Sequence, residues 1–123
     1  MGGLFLDSIK KIEIITRKSK FEELKTALNK IGIGGMTVYQ VLGCGTQRGD
    51  KLYYRGVPVE LKLIQKVKVE IVVCEIPVEK VIAVAQNVLR TGEIGDGKIF
   101  VYDIADVIKI RTGERGKAAL ANE

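Results

Sequence analysis

The stretch KVKVEIVV, Lys66 to Val73, decides how the chain is read. Val67, Val69 and Ile71 alternate with Lys66, Lys68 and Glu70, the period of a strand with one buried face. An earlier stretch repeats the pattern: Lys11-Ile-Glu-Ile-Ile aligns with Lys68-Val-Glu-Ile-Val. At the same offset Phe21, Leu24 and Leu28 fall on Val78, Val81 and Ala85, and Gly35 falls on Gly92. A strand over Ile9 to Thr16 is thus followed by helical spacing through Phe21, Leu24, Leu28 and Ile31, with Ser19 and Glu22 in capping-box order and Gly32 as the stop. In the second half Pro77 opens a helix whose apolar stripe is Val78, Val81, Ile82, Ala85, Val88 and Leu89, ending at Gly92.

Each helix leads into another strand, MTVYQVL at Met36 to Leu42 and KIFVYDI at Lys98 to Ile104. The order β-α-β-β-α-β predicts an α+β, ferredoxin-like fold: an antiparallel sheet with both helices on one face. The other face is left open, and with Val72 and Val73 running wholly apolar it calls for a partner, so an oligomer is expected. VIKIRT, Val107 to Thr112, reads as a short strand-like extension, and the small polar tail after Gly116 as mobile.

The 123 residues suit one domain, residues 1–123, and 46% hydrophobic with 28% charged residues is a globular balance. No apolar run reaches the ~20 residues that span a bilayer, and the N-terminus lacks the pattern of a signal peptide, so a cytoplasmic protein is expected. Histidine is absent, which removes the commonest general base and metal ligand and points away from an enzyme. Cys44 and Cys74 lack CxxC spacing and read as free thiols. The net charge of +5 would suit phosphates or nucleic acid, but the cations are spread along the chain.

Two segments carry chemistry. Between Leu42 and about Gln65 the chain is far longer than a hairpin needs and holds glycines at 43, 45, 49 and 56, so it reads as an arm that changes shape. RTGEIGDGKIF, Arg90 to Phe100, resembles a P-loop cut short, with Ile99 where a Mg²⁺-binding hydroxyl belongs. A P-loop follows a strand and opens a helix; this stretch follows a helix and opens a strand, so it is not one. A plain turn would explain Gly92, but three glycines with Asp96 and Lys98 favour a backbone cradle for phosphate. Lys109 and Arg111, two apart in an extended piece, would share a side and suit a polyphosphate or simply protect an edge. GCGTQRG lacks the helix start of a dinucleotide fingerprint. An RNA-recognition reading fails because KVKVEIVV, in the place of the aromatic-bearing strand, holds no aromatic residue.

Taken in order, GMTVYQVLGCGTQRG, YYRG, KVKVEIVV, RTGEIGDGKIFVYDI and IRTGERG resemble the successive signatures of the PII-type nitrogen signal-transduction proteins, over about Ile9 to Leu120. The resemblance implies a cytosolic homotrimer that binds ATP or ADP between subunits, and 2-oxoglutarate beside Mg-ATP. It marks 43–63 as the T-loop, 91–98 as the B-loop and 111–120 as the C-terminal loop, and leaves 1–8 as an extension without counterpart. By motif position, Gly45, Gln47, Gly95, Asp96, Gly97 and Lys98 resemble nucleotide binders, Thr37 the adenine contact, and Arg111 and Lys109 the neighbouring subunit's phosphate contacts. Gln47 resembles the residue that joins the Mg²⁺ shell with 2-oxoglutarate, and Lys66 the partner of that acid's distal carboxylate.

The T-loop, with Arg48, Tyr53, Tyr54 and Arg55, would dock on a partner: an ammonium transporter, through which alone a membrane is reached, or a nitrogen-metabolism enzyme or regulator. No nucleic-acid partner is expected. The chain departs from the family at Val59, where relatives carry an uridylylated tyrosine, at Thr46 and Lys109, where they carry basic residues or Arg, and at Lys18-Ser19-Lys20, where they carry Pro-Phe-Lys. An adenylate-only sensor and an RNA-binding module are the alternative functions.

Overall fold

The computed structural model describes residues 8–45, 53–54, 57–58 and 62–121. In chain order these form β1 (Lys10–Arg17), a 3₁₀ turn (Lys18–Lys20), α1 (Phe21–Lys30), β2 (Thr37–Gly45), β3 (Tyr53–Tyr54), β4 (Val57–Pro58), β5 (Lys62–Val73), α2 (Val78–Leu89), β6 (Lys98–Asp103) and α3 (Lys117–Leu120). Four strands make one antiparallel sheet in the order β2-β5-β1-β6. That is the ferredoxin-like plan, with α1 and α2 packed together on one face. β3 and β4 form a separate ribbon, Tyr53 opposite Pro58 and Tyr54 opposite Val57.

The core lies between that face and the helices. Ile12 and Ile14 of β1 and Val67, Val69, Ile71 and Val73 of β5 meet Leu24 and Leu28 of α1 and Val81, Ala85 and Leu89 of α2. The repeated positions thus occupy equivalent places in the core, since the 2-residue period of the strands and the 3.6-residue period of the helices bring their apolar faces to the same layer.

Four expectations are corrected. Ser19 caps nothing: α1 begins after Lys20 with no side-chain cap, because the 3₁₀ turn takes up the residues that a capping box would need. β2 and β5 run on to Gly45 and from Lys62, so the arm springs from an extended hairpin in which Cys44 lies opposite Leu63. Residues 107–112 form no strand. They turn back on themselves through one bridge, Ile108 to Arg115, so Lys109 is buried while Arg111 is exposed, and the two do not share a side. The tail is ordered as α3, since Ala119 finds a buried position.

Leu28 is fully buried. Leu28→Ala should lower the unfolding free energy by about 2–5 kcal/mol in urea titrations, because helix and sheet close imperfectly over the void. Leu42→Ala, on a side chain 63% exposed, should stay within about 0.5 kcal/mol of the parent.

Candidate functional site

The segment between α2 and β6 is folded around one carboxylate. Asp96 accepts from the Thr91 hydroxyl, the Thr91 N–H at 2.8 Å and the Gly92 N–H at 2.9 Å, and from the Arg17 guanidinium. The Thr91 hydroxyl and then Arg17 hold this carboxyl far below the usual carboxylate range. Arg17 also donates to the Ile94 carbonyl at 3.0 Å, and the buried Thr16 hydroxyl donates to the Asp96 carbonyl at 2.8 Å. The end of β1 is therefore the template for the loop. Gly97 has φ +105°, and a Cβ there would lie 1.9 Å from the Ile15 carbonyl oxygen, so only glycine permits this approach.

The strand register gathers cations at the same end of the sheet. Arg17 stands directly opposite Lys66, and Ile15 opposite both Lys68 and Lys98. Like charges facing across a ladder repel, and here loop acceptors offset the repulsion: Arg17 reaches Asp96 and Ile94, and Lys66 Nζ reaches the Gly95 carbonyl at 3.1 Å. The Lys66 stem passes within 3.4 Å of where a Cβ on Gly43 would stand. Lys98 begins β6 and is exposed. Glycine-rich backbone beside three cations on one face is suited to an anion with several oxygens.

Of the residues singled out by sequence, Gly95, Asp96, Gly97, Lys98 and Lys66 come together here. Asp96 differs in role from a direct phosphate binder, since its carboxylate is turned into the loop and organises it. Thr37 is elsewhere, at the start of β2 on the opposite edge of the sheet. Three strand spacings of ~4.8 Å, roughly 14 Å, separate the two edges. Thr37 lines a second cleft of about 670 Å³ with Gly35, Met36, Glu70, Val72 and Leu120. Gly45 pairs with Lys62 at the end of the hairpin, and Arg111 is exposed in the turn after Lys109. Gln47, Arg48, Arg55 and Val59 lie outside the described residues, as do the side chains of Tyr53 and Tyr54. One chain therefore presents two half-sites on opposite edges.

Sequence reading did not single out Arg17 or Thr91. The signal for Arg17 was its place as the last residue of β1 in register with Lys66, and that for Thr91 was a hydroxyl five residues before an aspartate in a glycine-rich run.

The open face between the half-sites carries a paired network. The Lys68 ammonium lies 4.4 Å from the Tyr39 ring centroid and that of Lys11 4.5 Å from Tyr102. Tyr39 donates to Glu70 at 3.3 Å and Tyr102 to Glu13 at 3.2 Å, while Lys11 and Lys68 both face Glu70, at 3.8 and 3.7 Å. Lysines occupy the ring faces that a stacked nucleobase would need. Among the described residues no helix is long and apolar enough to cross a membrane, and no group of three or more His, Cys, Asp or Glu could hold a metal ion.

Comparison with known proteins gives a consistent result. The family model for nitrogen regulatory protein P-II matches residues 9–114. The chain is 50% identical over 110 residues to a nitrogen regulatory PII-like protein of Bacillus subtilis, covering 89% of this chain and 95% of that one. It is 46% identical over 112 residues to nitrogen regulatory protein P-II of Rhodospirillum rubrum, covering 91% and 100%. Among solved structures it is similar to the GlnK-ATP complex of B. subtilis, with TM-score 0.78, 45% identity and 93% and 97% of the two chains covered. It is also similar to Arabidopsis thaliana PII bound to citrate, with TM-score 0.73, 44% identity and 92% of each chain covered.

The lowered acidity of Asp96 gives the loop a pH signature. The stabilisation is complete above the ordinary aspartate value of 3.8 and is lost as pH falls below it towards the depressed folded value. Asp96→Asn should lower the melting temperature at neutral pH, and its difference from the parent should shrink in acid. A gap of constant size down to about pH 2 would show that the charge of Asp96 is not what holds the loop.

Proposed function

The chain belongs to the nitrogen regulatory protein P-II family, a family of regulatory proteins rather than enzymes, and on that premise we propose that it senses adenine nucleotide and 2-oxoglutarate between the subunits of a homotrimer. The observation that carries this reading is the 91–97 loop. It is prefolded by Asp96, opens onto Lys98, and is tied by its Gly95 carbonyl to Lys66. Backbone N–H groups and Lys98 would take the phosphates of ATP or ADP. A neighbouring copy would supply Thr37 for the adenine, with Lys109 and Arg111 for the phosphates. The separation of Thr37 and Lys98 on opposite edges supports a shared site, because no single copy can place both on one nucleotide.

The balance of two lysines and two glutamates on the open face, with Tyr39 and Tyr102, supports its burial in the trimer, where unpaired charges would be costly. The relative solved with ATP and the one solved with citrate support a nucleotide and a carboxylic acid as the ligand classes. Mg²⁺ would be held chiefly by phosphate oxygens, with the Gln47 amide as a protein donor, since Asp96 is already committed to loop N–H groups and Arg17. A 2-oxoglutarate carboxylate would compete with the Gly95 carbonyl for Lys66, so the acid and the loop would report on each other. The 43–63 segment, the T-loop, would convert the bound state into affinity for a cytoplasmic partner, an ammonium transporter or a nitrogen-metabolism enzyme or regulator. With Val59 in place of tyrosine, ligand occupancy rather than uridylylation would set the output.

Calorimetric titration of Mg-ATP, with and without saturating 2-oxoglutarate, tests the reading. ATP should bind more tightly with the acid present, and Lys98→Ala should weaken ATP binding by at least roughly tenfold, one charge-assisted contact, without changing the trimer mass. ATP binding indifferent to the acid would leave an adenylate sensor. Tight ATP binding by Lys98→Ala would remove the phosphate role of the loop.

A further inference from the structure

Lys109, expected at the nucleotide phosphates, has its side chain only 6% exposed. Its Nζ donates to the Ala121 carbonyl at 2.8 Å and lies 3.5 Å from Glu114 Oε1. The turn around it is closed by its own backbone: Lys109 N–H reaches Glu114 at 2.8 Å, Gly113 N–H reaches Lys109 at 2.7 Å, and Gly116 N–H reaches Val107 at 2.9 Å. Gly116, at φ +61°, then turns the chain into α3. Leu120 and Ala121 wall the cleft that Thr37 lines, and Lys117 pairs with Glu75 on its rim.

We propose that α3 is a displaceable latch. It keeps the Lys109 ammonium on the Ala121 carbonyl while no nucleotide is bound, and it opens to release Lys109 to a nucleotide phosphate. The proposal rests on the reading that places Lys109 in the nucleotide site.

Two physical comparisons carry it. The Ala121 carbonyl is a neutral acceptor, whereas a nucleotide phosphate is an anion, and charge-assisted hydrogen bonds are roughly twice as strong. The latch itself is weakly held. Four residues do not sustain a helix alone, Ala119 is its one buried side chain, and both partners of the Lys117–Glu75 pair are more than half exposed. Lysine suits an exchange of partners, because a compact ammonium needs no alignment of a planar fork. Nucleotide affinity is then reduced by the fraction of chains that are latched.

Hydrogen exchange on the full chain gives the first test. Saturating Mg-ATP should speed exchange at residues 118–121 while protecting the 91–97 loop. Slower or unchanged exchange at 118–121 overturns the latch. A double-mutant cycle gives the second. Ala119→Glu, which undocks α3 without touching Lys109, should tighten ATP binding by about threefold to tenfold, the factor expected if most chains are latched. Lys117→Ala should act in the same direction more weakly. The gain should vanish in a Lys109→Met background, and a gain that survives there overturns the proposal by showing that α3 obstructs the cleft without Lys109. A parent chain that binds no ATP removes the underlying reading and the latch with it, and the parent titration reads that before any variant.

Discussion

The pairing of β1 with β5 is the constraint on which the rest of the molecule depends. Its register runs from Lys10 opposite Val73 to Arg17 opposite Lys66. One set of positions on these strands makes the sheet side of the core, and the alternate set makes the open face. Because side chains alternate with period two, a slip of one residue would exchange the two sets and put Lys66, Lys68 and Glu70 under the helices. The burial that fixes the core thus also fixes the cations at one end of the open face. Fold and candidate site are specified by the same hydrogen-bond ladder.

Within that frame the 91–97 loop is stable because its charges are local. Arg17 and Asp96 neutralise each other, and the carboxylate satisfies N–H groups that a glycine-rich turn would otherwise leave to water. Lys66 occupies the carbonyl side of the same loop. The loop's backbone is therefore organised before any ligand arrives, which lowers the ordering cost of binding.

The fold was largely legible in the sequence, because the repeated strand-helix pattern shows two periods that only a two-layer packing satisfies. The glycine loop was legible too, through Gly95, Asp96, Gly97 and Lys98. Arg17 was not, since its importance comes from cross-strand register, which no local spacing encodes. Residues 107–121 were misread for a related reason: VIKIRT has the composition of a strand, but no sheet edge is offered to it, so its N–H groups close a turn instead. Ala119 looked like part of a solvated tail because a single buried alanine leaves no periodic signal.

The internal repeat has a consequence for how such a binding protein could arise. A doubled β-α-β unit places its two helix-to-strand connections on opposite edges of one sheet, here the Gly32–Met36 turn before β2 and the 91–97 loop before β6. One lines the cleft with Thr37, and the other is the Asp96-organised loop. Duplication of a half-length gene would supply both connections at once, initially alike. Their divergence into a glycine turn and an anion cradle needs changes only in short segments that leave the shared core untouched. The arm lies at the join between the halves, the one connection with no counterpart in the repeat, where length and sequence can drift without disturbing either edge.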